Sequence, residues 1–216
     1  HSRDDIMELN HPELTQQALH LLRNGEHFQW HVIPMLAFVM YIYYNEIAAK
    51  NWRGIAAGLS LYGGHWLFEI GNALIQHFSG HALWAIPQGT AYLLLVGVGI
   101  EISLMFSIAG LIASKLLPPD PTAKVCGINN RLFFALANAA FCAVAEIFLV
   151  TQTGVFAWVY PWWGALPVFV TVYIPFFLTA MRCHDWEIAT QKRFIGGLFA
   201  LDAVLLLVFG VGLRWI

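Results

Sequence analysis

The sequence predicts an all-α, polytopic integral membrane protein: six transmembrane helices preceded by a short interfacial amphipathic helix. Three observations predict it. Of 216 residues, 59% are hydrophobic and 11% charged, against about 45–50% and about 25% in an ordinary soluble domain. Six apolar stretches reach the roughly 20 residues a helix needs to cross about 30 Å of hydrocarbon. The alternating period of a membrane β-barrel is absent, and backbone in lipid must satisfy its own hydrogen bonds, which a helix does within one segment.

The chain divides into residues 1–27, an N-terminal segment with the interfacial helix, and residues 28–216, a single six-helix transmembrane domain. Asn10-His11-Pro12-Glu13 reads as a helix start, with Asn10 or His11 capping and Pro12 in the first turn. Leu14, Ala18, Leu21 and Leu22 then share one face, which suits a helix lying on the membrane. Asn24-Gly25 ends it. A basic start and a small-residue cleavage site are both missing, so this is not read as a cleavable signal. The six spans fall at about Trp30–Ala49, Gly54–Phe78, Gln88–Leu116, Arg131–Gln152, Trp162–Met181 and Phe194–Leu213. The loop Leu117–Asn130 carries three prolines and Gly127. Pro175, inside the fifth span, should kink it or free the carbonyl of Thr171.

Six spans put both ends on one side. Arg3, Arg23 and Arg214 lie there, against Lys50, Arg53, Lys115, Lys124, Arg131, Arg182, Lys192 and Arg193 on the other. The positive-inside rule then places both termini on the non-cytoplasmic side. Trp30, Trp84, Trp158, Trp162, Trp163 and Trp215 gather on the terminal side as an expected aromatic belt. The composition excludes a soluble domain and a disordered chain, and a net charge of -2 offers no basic surface for nucleic acid. Three scattered cysteines make no disulfide framework.

The informative residues are ionisable groups within the spans: Glu69, Glu101, Glu146 and Asp202, with His65. A carboxylate at bilayer depth is costly and usually faces the bundle interior to do a job. No Lys or Arg sits mid-span to pair with them. From the terminal side, Glu69 lies roughly 14 Å deep, Glu101 roughly 20 Å, Glu146 roughly 10 Å, Asp202 roughly 17 Å and His65 roughly 20 Å. These depths allow one shared layer. Gly58, Tyr62, His65, Glu69, Asn72 and Gln76 form a polar stripe at alternating steps of four and three. Asn138, Cys142 and Glu146 repeat it in the fourth span, and Gly97 would allow close approach one turn before Glu101. Tyr62, Asn72 and Asn138 are supporting residues, although a single Asn or Gln reads first as interhelical glue.

A second set, His27, His31, His77 and His81, forms two i, i+4 pairs near the terminal-side surface and is a candidate metal site. HExxH, Gly-x-Ser-x-Gly, phosphate-loop and dinucleotide motifs are absent. Glu46, His184, Asp185 and Glu187 on the opposite side read as a solvated charged turn.

Four acids and a histidine in an apolar bundle fit an enzyme for an apolar, lipid-like substrate of isoprenoid or sterol type. Apolar surroundings favour a protonated carboxyl that can donate its proton, and a neighbouring base takes one back. Glu69 and Glu101 are the expected acid and base, with His65 tuning Glu69, and Glu146 and Asp202 a second pair. Such isomerase or cyclase chemistry needs no cofactor. His65-Trp66-Leu67-Phe68-Glu69 is faintly similar to the intramembrane His and Glu of membrane sterol isomerases. The acids on separate helices resemble integral-membrane terpene cyclases, and the likeness covers only these few residues. The alternatives are a metal-dependent or redox membrane enzyme, with iron, copper, zinc or haem on His/Glu ligands, and a proton- or cation-coupled transporter. Membrane lipids are the expected partners, and a homo-oligomer or a subunit role in a larger membrane complex stays open.

Overall fold

The computed structural model describes residues 11–216, and its architecture is mostly helical. Helix α1 runs Pro12–Leu21, α2 Val32–Ala48, α3 Trp52–Ser79, α4 Ile100–Ser114, α5 Asn130–Thr153, α6 Ala165–Asp185 and α7 Ile188–Gly212. Helices α5, α6 and α7 are long and apolar enough to cross a membrane. Helices α2 and α4 are apolar but shorter. The 28-residue α3 is longer than any of them, and its polar stripe dilutes its apolar character. It forms the hub against which α4, α6 and α7 pack. Small residues bring the hub close to α4: a Cβ on Gly110 would sit 2.5 Å from the Ala57 carbonyl oxygen.

Outward faces are hydrocarbon-like. Ile33, Phe38 and Met40 on α2, Phe141 and Val144 on α5, and Val204, Leu207 and Val211 on α7 are all exposed. An apolar face this extended fits a lipid surround better than water.

The expected third span is where sequence and structure part. Residues 88–99 are not helical; the helix begins at Ile100. Pro87, Gly89, Thr90, Gly97 and Gly99 interrupt the apolar run and deny it a helical start. In its place are two short strands, β2 (Leu93–Leu95) and β3 (Val98–Gly99), preceded by β1 (Trp84–Ala85). Strands β2 and β3 pair as a bulged antiparallel hairpin, while β1 pairs with β6 (Ala157–Trp158). This plug folds back beside the last turns of α3. Its backbone is satisfied within the protein: Leu83 N–H donates to Asn72 Oδ1 (2.8 Å), Ile86 N–H to the Val96 carbonyl (3.0 Å) and Val159 N–H to the Leu83 carbonyl (3.0 Å). Irregular backbone at membrane depth is tolerated only when buried in this way. Ala82, Ala85, Ile86, Leu93, Val96 and Val98 are accordingly core residues.

Helix α1 is tied to the same plug, since Arg23 N–H donates to the Leu93 carbonyl at 2.9 Å. Its face of Leu14, Ala18, Leu21 and Leu22 turns inward, with Thr15 and Ala18 buried, so it docks on protein. His11 precedes it in left-handed backbone without a side-chain capping bond, and Pro12 holds the first position. Asn10, the other expected cap, lies outside the described residues. Asn24 caps the following turn by accepting from Glu26 N–H.

On the opposite side, the loop after α4 closes through strands β4 (Lys124–Val125) and β5 (Ile128–Asn129). Its turn, Cys126-Gly127, has positive φ at both residues, as a tight hairpin requires. Hydrogen bonds from Thr122 hold the Asp120 carboxyl in this loop below the usual carboxylate range. The expected solvated charged turn is instead partly buried. Arg131, 6% exposed, donates to both Asp185 oxygens at 2.7 and 2.8 Å, and Lys115 pairs with Glu46. Pro175 is accommodated by a π-helical turn at Phe169–Tyr173 just before it, a wider loop that absorbs the missing N–H.

Candidate functional site

Between α3, α4, α5 and α6 lies a cavity of about 410 Å³. Phe68, Ile102, Phe106, Val172 and Phe176 give it an apolar wall, and its polar groups are few: His65, Glu69, Asn138, Cys142, Glu146 and Tyr173. Helices α4 and α5 touch each other little, and exposed Met105, Ile112 and Phe141 border the cavity between them. Exposed apolar side chains therefore border the cavity between these two helices.

The polar stripe of α3 builds one wall. His65 and Glu69 are stacked one turn apart, with Nδ1 3.9 Å from Oε1, and both are buried. The His65 ring lies flat on Phe106, centroids 4.3 Å apart. Its Nε2 is buried with no hydrogen-bond partner among the described residues. Trp84 of the plug donates its single indole N–H to both Glu69 oxygens, each at 3.1 Å. Asn72, one turn further on, clamps β1 by donating to the Trp84 carbonyl (2.8 Å). Gly97 backs this arrangement: a Cβ there would lie 2.4 Å from Trp84 Nε1 and 2.5 Å from Asn72 Nδ2. The close approach expected of Gly97 exists, but it serves the indole rather than Glu101.

Glu146 on α5 forms the facing wall. It accepts from Trp158 Nε1 at 2.5 Å and, on its other oxygen, from the Tyr173 hydroxyl. Asn138 and Cys142 continue the same face toward the opposite side, with Asn138 returning its amide to the Phe134 carbonyl at 2.7 Å. Trp84, Trp158 and Tyr173 are the site residues that sequence reasoning missed. Trp84 and Trp158 were expected in an interfacial belt, yet Trp84 and Trp163 are buried and stacked at 5.8 Å, and only Trp30 and Trp162 of the set are strongly exposed. The available signal was the rule that a buried indole N–H needs an acceptor.

The cavity thus brings His65, Glu69 and Glu146 together. Glu101 and Asp202 lie elsewhere. Because α4 starts at Ile100, Glu101 occupies its first turn, accepting from Thr90 Oγ1 (2.6 Å), Ala91 N–H (2.6 Å) and the His31 ring (3.0 Å). Asp202 is buried on α7, away from the cavity, and neither oxygen has a partner among the described residues. Tyr62 bonds Ser103 across α3 and α4 at 2.9 Å. The terminal-side histidines go to separate neighbours: His31 to Glu101, His77 flat on Trp215 (4.7 Å), and His81 edge-on to Tyr160. The side chain of His27 lies outside the description. Among the described residues no three His, Cys, Asp or Glu side chains gather as a metal-binding group.

Fold and cavity together define a helical integral membrane protein with paired carboxylates in an apolar interior. The chain belongs to an uncharacterized membrane protein family, whose model matches residues 12–211. A relative from Archaeoglobus fulgidus, an uncharacterized protein, is 46% identical over 209 residues, covering 94% of this chain and 99% of the relative. No solved structure matches.

Proposed function

We propose that this protein is an intramembrane enzyme that shifts protons on an apolar, lipid-like substrate of isoprenoid or sterol type. The observation that carries the reading is a pair of buried carboxylates, Glu69 and Glu146, facing one apolar cavity that opens between α4 and α5 at hydrocarbon-facing residues. A lipid would enter sideways, without leaving the bilayer. In the same reading the chain crosses the membrane six times, with α2, α3 and α4 joining the three longer helices and both termini on the non-cytoplasmic side.

The hydrogen bonds divide the two roles. Glu69 shares one indole N–H between its oxygens, which leaves an oxygen able to carry a proton. Glu146 has a donor on each oxygen and acts as the carboxylate base. Protonated Glu69 gives its proton to one carbon of a substrate double bond. Glu146 removes a proton from the neighbouring carbon of the resulting cation, and the double bond has moved. Proton return from Glu146 to Glu69 resets the pair. Phe106, Phe176 and Tyr173 turn aromatic surface to the cavity, and ring faces stabilise a passing cation. The unpartnered His65 Nε2 suits a substrate with one polar atom, such as a hydroxyl. Glu101, expected as the base, is replaced by Glu146 because it lies outside the cavity.

The test is to incubate detergent-purified protein with isoprenoid and sterol olefins in D2O and follow deuterium in the recovered lipid by mass spectrometry. Wild type should incorporate label, and Glu69→Gln should lose about 10²-fold or more of the rate. No incorporation into any olefin, or full activity in Glu69→Gln, overturns the reading. Stoichiometric iron, copper or zinc in the same preparation would favour a metal enzyme instead.

A further inference from the structure

A second cavity, about 430 Å³, has a different character. It lies where α1, the last turns of α3, the β2–β3 turn and the end of α7 meet. Leu19, Leu95 and Val211 give it apolar walls, while Arg23, Arg214 and Gln76 supply polar donors. No carboxylate side chain lines it among the described residues. Among the described residues neither arginine forms an ion pair.

The placement of these arginines is selective. In the six-span reading, only Arg23 and Arg214 of the ten Lys and Arg residues after position 10 fall on this side. Both meet at one cavity. Arg23 is fixed at its base, with Nε donating to the Leu94 carbonyl at 3.3 Å and its N–H to the Leu93 carbonyl, and its terminal guanidinium nitrogens have no partner among the described residues. Both arginines occupy left-handed backbone, φ 53° and 56°, a conformation uncommon outside glycine. Gln76 stands about 5 Å below the end of α3, the depth of lipid headgroups rather than of chains.

We propose that this cavity binds the phosphate of an anionic amphiphile, with Arg23 and Arg214 clamping the phosphate oxygens and the apolar walls taking the first part of its chain. Guanidinium forks match phosphate oxygens in bidentate geometry. The site is independent of the chemistry assigned to Glu69 and Glu146.

The experiment uses the full chain in phosphatidylcholine nanodiscs with and without phosphatidic acid, read by native mass spectrometry of retained lipid. A parallel arm adds inorganic phosphate in detergent and reads the melting temperature. Wild type should retain phosphatidic acid over phosphatidylcholine. Arg23→Gln and Arg214→Gln should each weaken retention about tenfold. Stabilisation by inorganic phosphate without lipid retention, lost in the same variants, assigns the site to a free phosphate. If the glutamine variants do not fold, Arg23→Lys and Arg214→Lys keep the charge and remove the fork, and a smaller loss is expected. Equal retention by wild type and variants, or no preference for either phosphate source, overturns the proposal.

Discussion

Glu69 and Glu101 both sit in apolar helices with a histidine at hand, yet they are built for different work. Glu69 is buried on a cavity wall, and its donor is a side chain, the Trp84 indole, with His65 3.9 Å away and outside hydrogen-bond reach. Glu101 is about one-fifth exposed, and its donors include the backbone N–H of Ala91, so it fastens the plug to the start of α4. An acid that satisfies backbone is an anchor. In the proposed function, an acid held by side chains against an apolar cavity is the one that meets substrate. Depth in the membrane does not separate the two; the identity of the donor does.

Substitutions can break or sharpen this contrast. The largest effect is expected at the cavity: Glu146→Gln should cut proton exchange into substrate about 10²-fold or more, while Glu101→Gln leaves the rate of the folded protein unchanged. Equal loss in both variants would erase the distinction. Next is the support of Trp84. Gly97→Ala places a methyl against its indole, and thermal melts in detergent should show about 1–3 kcal/mol of destabilisation, together with weaker exchange because Glu69 loses its donor. Glu101→Ala leaves the Ala91 N–H unsatisfied, so a similar loss of about 1–3 kcal/mol is expected, without the kinetic defect. Smallest is His31→Ala. The His31–Glu101 contact is half-exposed on the histidine side, and its removal should cost less than about 1 kcal/mol. A larger loss would mean that His31 is part of the anchor.

Much of the helical frame was legible in the sequence, because apolar runs of bilayer length leave few options. Helices α2, α3, α5 and α6 begin and end within about a turn of the expected residues, whereas α7 starts at Ile188, six residues before the expected Phe194. The third run misled because hydropathy sums do not distinguish an apolar helix from buried apolar strands. That single misreading also displaced Glu101: counting rise from Gln88 puts it deep, whereas counting from Ile100 puts it in the first turn. His65 and Glu69 were legible as a pair, since i, i+4 spacing alone fixes them on one face. Their union with Glu146 depended on how α5 and α6 rotate, which spacing within one helix cannot tell. The indole donors were hidden because Trp84 and Trp158 join the site through strands that pair across 74 positions of chain.

That pairing carries a consequence for biogenesis. The segment around Trp84 cannot complete its backbone hydrogen bonds until Ala157–Trp158 has been synthesised. By then α4 and α5 have also been synthesised. The insertion machinery therefore handles a stretch that looks like a span but has no finished partner for much of translation, and closure of the Glu69 wall becomes a late event in assembly.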